Sequence, residues 1–245
     1  MAGVGRPRGP GLAAAIRAAA YDFYYQSIRL VPANLLWGLA FLAWLIVAVS
    51  TGPLVTLVTA PLLAVPWVGV VRLAALTARD QDVVLSDIWT AIRRYGLGAL
   101  AIGVVVALAV AILASNAFLG ANLGGPVGWA LTTLSLTGLV ALWVLSWPFW
   151  VLLVDPERED RPLRSRARLA ALLVVAAPGR LAWMSLVLAL LLLVSTVAFV
   201  AVLTIAPAFA ALVSARYCLP LSDRLERWLE QRDAGGGDRR GTAAP

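Results

Sequence analysis

The sequence predicts an all-α protein: a polytopic transmembrane bundle of six spans, built from elbow-plus-hairpin units and carrying the marks of a parallel internal repeat. Three observations carry that prediction. First, 61% of the 245 residues are hydrophobic and only 13% are charged, against about 25% charged in an ordinary soluble domain. Mean hydropathy is +0.87, more apolar side chain than a water-exposed fold of this length can hide. Second, uncharged runs recur along the chain, several of them matching the roughly 20 residues that cross a bilayer. Third, the arginines collect in alternate links between those runs.

Taken in order, residues 1–32 read as an N-terminal arm and elbow helix carrying Arg6, Arg8, Arg17 and Arg29. Spans follow at about 33–50, 53–75, 96–117 and 127–154. Ala48-Val49-Ser50 resembles a signal-peptide cleavage site. Over 30 residues precede the apolar run, however, so the run is read as a retained span. The stretch 181–219 has no charge before Arg216 and is too long for one span. It divides near 198–200 into a fifth and a sixth, with one long tilted helix or a re-entrant segment as the competing reading. The transmembrane domain therefore covers 33–219. In the tail, 220–245, LSDRLERWLEQR (221–232) reads as a short amphipathic helix started by Ser222 or Asp223, and 233–245 reads as disordered.

Orientation follows from the arginines. All 20 basic residues are Arg. They lie in the N-terminal arm, in the links after the second and fourth spans and in the tail, with Arg72 near the end of the second span, whereas the links near 50–53, 115–128 and 198 carry no charge. Six spans with both termini cytoplasmic put every Arg on one side, as the positive-inside rule requires. The expected partners of the basic face are the anionic lipid headgroups of the cytoplasmic leaflet. The net charge of +7 is assigned to that topology and not to nucleic acid.

LVTAPLLA (57–64) and LTIAPAFA (203–210) are nearly the same phrase 146 residues apart. At that shift Pro32 meets Pro178, Trp37 meets Trp183 and Pro61 meets Pro207, within ten identities over 33 positions. Each copy reads as an elbow, a Pro, a Trp-bearing helix and a second helix interrupted at Ala-Pro. Both copies start on the same side, so the repeat is parallel, about an axis near the membrane normal; chance likeness between apolar helices is the alternative. A third elbow is read in VLSDIWTAIRRY (84–95). There Val84, Leu85, Ile88, Trp89 and Ile92 share a helical face, Ser86 stands where it can cap, and Arg93 and Arg94 close the last turn. Trp89, Arg93 and Arg94 are its interface candidates, against the plainer reading of a solvated basic loop. Residues 12–30 and 163–177 are read as the matching elbows.

Chemistry is bounded by what is missing. There is no histidine and one cysteine, Cys218. The commonest general base and metal ligand are therefore absent, and no intramolecular disulfide can form. No ionisable residue falls near the middle of a span, where it would mark a transport pathway. Arg72 and Arg216 are expected to snorkel from span ends. Asp80, Asp82 and Asp87 read as a solvated loop with a hard-cation site as the alternative. The acids at 155–160, alternating with Arg, read the same way. Pro61, Pro66, Pro148 and Pro207 interrupt spans, as hinges around a cavity or as packing kinks. Trp143, Trp147 and Trp150 share a face, as an aromatic belt or as a stacking platform. No catalytic, cofactor-binding or metal-binding residue is named.

At NLLW (34–37), TGP (51–53) and SDIWTAIRRYGLGAL (86–100) the chain resembles the YesL-like family of bacterial integral membrane proteins, over roughly residues 30–105. Asn34, Trp37, Gly52, Pro53, Trp89, Arg93 and Arg94 stand at the matching places. After Gly-Pro the chain departs from the family, with LVTLVTAPLL where small residues and a Tyr are usual. The family has no established activity. The resemblance implies an accessory role in carbohydrate uptake. The expectation is thus a non-enzymatic accessory component, partnered by a membrane transport complex or by its own copies. The alternative is a transporter or channel for a neutral or lipid-like solute.

Overall fold

A computed structural model describes residues 11–237. Among the described residues every regular element is helical. The order is α1 (Leu12–Tyr25), α2 (Ser27–Thr51), α3 (Pro53–Thr59), a 3-10 turn (Ala60–Leu63), α4 (Ala64–Ala78), α5 (Ser86–Leu123), α6 (Gly125–Leu153), a second 3-10 turn (Pro156–Arg158), α7 (Leu163–Ala176), α8 (Pro178–Val197), α9 (Phe199–Thr204) and α10 (Ala206–Gly237). Among the described residues, five helical stretches are long and apolar enough to cross a membrane: Ser27–Thr51, Pro53–Ala78, Ser86–Leu123, Gly125–Leu153 and Pro178–Val197.

The core is gathered at one end of the bundle. The C-terminal half of α4 and the first half of α10 are almost entirely buried, sealed by the ends of α1, α6, α7 and α8. Away from this end, α5 and α6 run on as an antiparallel hairpin whose outer faces carry exposed Val105, Leu108, Ile112, Leu134 and Val140. Apolar side chains facing outward along a helix fit a hydrocarbon solvent. The turn between α2 and α3 is made by Gly52 at φ 89°, a conformation closed to most residues. Pro53 follows at the first turn of α3, where its missing N–H costs no hydrogen bond.

Several expected boundaries move. The 84–95 segment is no separate elbow: α5 runs unbroken for 38 residues from Ser86, because nothing in IRRYGLGAL interrupts the helical backbone. Ser86 does not cap it; Asp87 Oδ2 instead accepts the Val84 N–H at 2.9 Å. The helix α2 runs through residue 32, with Pro32 inside it. The tail helix is not separate either, since α10 runs through Pro220. Residues 233–237 belong to that helix, and 238–245, like the arm before residue 11, lie outside the described residues. The chain does divide near 198, at Ala198, and then breaks again at Ile205. The stretch expected as one sixth span is thus the six-residue α9 followed by the buried start of α10.

Candidate functional site

Two polar constructions stand out from the apolar bundle. The first joins the charged ends of the helices. Arg79, just past the end of α4, holds the Asp155 carboxylate through two bonds, Nε to Oδ1 at 3.1 Å and an Nη to Oδ2 at 2.8 Å. The same guanidinium reaches Asp223 of α10 at 2.7 and 3.0 Å and Glu157 at 2.9 Å. Arg158 joins Asp155, Asp223 at 2.6 Å and Glu226 at 2.7 Å, and Arg161 adds a second contact to Glu226. Asp155 is fully buried and Arg158 nearly so. A shallow cleft of about 220 Å³ opens beside this knot, lined in part by Arg161, Glu226, Arg227 and Glu230.

Burial works against charge on Arg79 and Arg158, yet both are held above the ordinary arginine value. The offsetting causes are hydrogen bonds, to Asp223 and Asp155 for Arg79, and to Glu226 and Asp223 for Arg158. Burial likewise raises Asp223, but the bonds from Arg79 and Arg158 outweigh it and hold the carboxyl below its usual range. These shifts favour the charged forms of Arg79, Arg158 and Asp223, so the three hold one another as ions.

Further arginines close helix ends. Arg216 donates to the last carbonyls of α4, Thr77 O and Ala78 O, each at 3.2 Å, and pairs with Asp22 at 2.6 Å and Asp80 at 2.7 Å. Arg166 donates to Leu153 O, and Arg72 to Val154 O, at the end of α6. A guanidinium suits this place because a helix C-terminus leaves carbonyls unpaired and carries partial negative charge. Arg72 and Arg94 also grip Glu159. Arg72 and Arg216 are therefore bonded within the protein rather than snorkelling freely. The acid–arginine segment at 155–160, expected as a solvated loop, contains the most buried ion pair among the described residues.

The second construction closes a helix break. Asn34, fully buried on α2, donates through Nδ2 to Leu203 O at 2.9 Å and accepts through Oδ1 from Ala208 N–H at 2.8 Å. Its amide thus stands in for backbone bonds lost where α9 gives way to α10 at Ile205 and Pro207. One turn on, Gly38 lets the strand of chain approach: a Cβ there would lie 2.5 Å from Leu203 O.

The sequence-predicted positions divide between these constructions and the bundle surface. Pro61 is buried in the 3-10 turn, and Pro207 is buried at the start of α10. Pro178 opens α8. Trp37 is half-buried, stacked on Phe41 at 5.3 Å and edge-on to Trp67 at 6.0 Å, whereas Trp183 is exposed. Trp147 is buried against Trp67 and Trp143, so Trp143, Trp147 and Trp150 do not form an open platform. Trp89 is exposed with the Arg93 guanidinium 5.1 Å above its ring. Asp80, Asp82 and Asp87 do not converge on a metal site: Asp80 is committed to Arg216, and no group of three ligating residues occurs among the described residues.

Sequence reasoning missed Asp155, Arg79, Arg158 and Asp223 as a unit, and the bridging role of Asn34. A signal existed for each half. Asp155 is the first charge after a long uncharged run, and Asn34 is the lone amide in an otherwise apolar stretch. Compared with family models, with curated proteins and with solved structures, the chain matches none.

Proposed function

We propose that this chain is a multi-pass protein of the bacterial inner membrane, with both termini cytoplasmic, that works as a non-enzymatic accessory component of a membrane transport system, carbohydrate uptake being the class its YesL-like resemblance suggests. The observation that carries the reading is the state of the polar groups. The ion pairs that link helix ends gather at one end of the bundle, and the acids and arginines of the central knot neutralise one another. Such an arrangement fixes helix ends in place; it does not load, move or release a charge. In this reading α9 and the first half of α10 together complete a sixth crossing, interrupted at Ile205. That crossing returns the charged tail to the side of the other arginines. The spacing of the helix ends supports a parallel repeat: α2 stops at Thr51 and α8 at Val197, 146 residues on.

Capture of the tagged full chain in mild detergent, with mass spectrometry of co-purifying proteins, tests the proposal. Transporter subunits at near-equal amounts are the expected result. Recovery of the chain alone would overturn it.

The two interrupted helices favour a second reading, a carrier for a neutral or lipid-like solute, since broken spans line substrate paths in many transporters. Flux into vesicles containing only this protein decides between the two. Flux unchanged by Pro61→Ala combined with Pro207→Ala would reject the breaks as its machinery.

A further inference from the structure

The outward face of α1 belongs neither to the knot nor to the helix break. Arg17, Tyr21, Tyr24, Tyr25 and Ile28 follow a spacing of 4, 3, 1 and 3, a single helical stripe that continues across the kink at Gln26 into α2. All five are exposed: Tyr21 by 63%, Tyr24 by 75%, Tyr25 by 62% and Ile28 by 82%, with Arg17 exposed beside them. The opposite face is occupied. Ala15 and Ala19 are buried, α1 packs along α10, Phe23 meets Phe209 edge-on at 6.0 Å, and Asp22 pairs with Arg216.

That packing fixes the level of the stripe. Arg216 closes the charged end of α4, so the tyrosines flanking Asp22 sit where the apolar bundle meets its charged end. Along the stripe, polarity falls in one direction: a guanidinium, then three phenols in mutual ring contact at 4.4 and 5.3 Å, then an exposed isoleucine. Exposed Leu35, Leu39 and Ile46 extend it along α2. The order cation, amphipathic ring, hydrocarbon is that of a lipid leaflet read from headgroup to acyl chain. In water Ile28 and the outer faces of the tyrosine rings would stay unburied, and a protein partner would not require the gradient.

From this gradient we infer that the outward stripe of α1 is a binding surface for anionic phospholipid of the cytoplasmic leaflet. Arg17 meets the headgroup phosphate, the tyrosines lie at the glycerol level and Ile28 lies among acyl chains. The inference rests on the membrane orientation proposed above, and the test separates the two.

The full chain carrying Cys218→Ala is labelled with an environment-sensitive fluorophore at Tyr24→Cys, at Ile28→Cys or at Val105→Cys. It is reconstituted into phosphatidylcholine vesicles containing nitroxide-bearing lipids. Val105, exposed on α5, reports on membrane insertion alone. The expected result is quenching at residue 24 by headgroup nitroxides and at residue 28 by acyl-chain nitroxides. At residue 24 a nitroxide on an anionic headgroup acts at about fivefold lower lipid fraction than one on a neutral headgroup, and Arg17→Glu removes that preference. Quenching at residue 105 with only aqueous iodide quenching at 24 and 28 overturns the inference and leaves the membrane reading intact. So does a label at 24 shielded from both quenchers while self-quenching between copies. No lipid quenching at residue 105 overturns both.

Discussion

The first and last units of the chain share a plan and differ in how they close it. Each has a 14-residue elbow helix, α1 and α7, then a kink and a long helix. One residue, Gly52 or Ala198, then leads to a short helix that breaks near an Ala-Pro pair. Gly52 and Ala198 are 146 residues apart, as are Pro61 and Pro207. The first break heals itself: residues 60–63 tighten into a 3-10 turn, and the Ala64 N–H bonds to Pro61 O and Leu62 O. The second does not. Its orphaned groups are taken by Asn34 of α2, and Gly38 admits the chain. At the positions of Asn34 and Gly38 in the last unit stand Arg180 and Met184, so the clamp runs in one direction only. One sequence phrase thus yields a locally satisfied turn in one place and a cross-helix dependence in the other.

The contrast between buried and rim charges gives the largest expected effect. Asp155→Ala leaves Arg79 and Arg158 without their shared buried partner and is expected to lower stability by about 3–5 kcal/mol. Asp80→Asn, at a far more exposed pair and with a side chain that tolerates the φ of 54° there, is expected to cost under about 1 kcal/mol. Denaturation in mixed detergent micelles followed by circular dichroism measures both.

Next comes the pair of breaks. Asn34→Ala strands Leu203 O and Ala208 N–H, at about 1–3 kcal/mol for each buried group. Pro61→Ala, in the self-satisfied turn, should change stability by less than about 1 kcal/mol, and equal losses from the two variants would erase the distinction. Gly38→Ala pushes a methyl against the Leu203 carbonyl and is expected to cost about 1–3 kcal/mol, whereas Gly98→Ala, with open space around it, should be neutral or mildly stabilising.

The smallest effect is on pH. The Asp223 carboxyl is lower in the folded chain than its ordinary value of 3.8. Its contribution is therefore complete above that value and disappears as pH falls through the lower folded value. The Asp223 share of stability should be lost in that acid range, and Asp223→Asn should flatten that part of a melting profile in detergent.

What was legible in the sequence tracks the length scale of the signal. Long uncharged runs located α2, α6 and α8 closely, because hydropathy is summed over many residues and survives local detail. A division near Ala198 was legible from span length together with the arginine pattern, which needs an even number of crossings. The separateness of the 84–95 and 221–232 segments was not, because the helices carrying them are continuous with α5 and α10, and Val84 and Leu85 fall before α5 altogether. A pattern of apolar positions reports a face, not an end. Asp155 was misread for a similar reason: a charge at the end of a span is usually solvated, and its burial depends on Arg79 and Asp223, which come from distant parts of the chain. Asn34 was quoted only as part of a motif, since no local pattern announces a partner 169 residues away.

The proposed role requires the charged end of the bundle to face a single compartment. Sided labelling tests this most directly. Single cysteines are placed at Leu123, Asp160 and Glu230 in a Cys218→Ala chain and exposed to a membrane-impermeant maleimide, in intact cells and in inside-out vesicles. The account predicts that residue 123, at the uncharged tip between α5 and α6, reacts only from outside, and that residues 160 and 230 react only in inverted vesicles. Labelling of 123 and 160 from the same side, or of 160 and 230 from opposite sides, would contradict it.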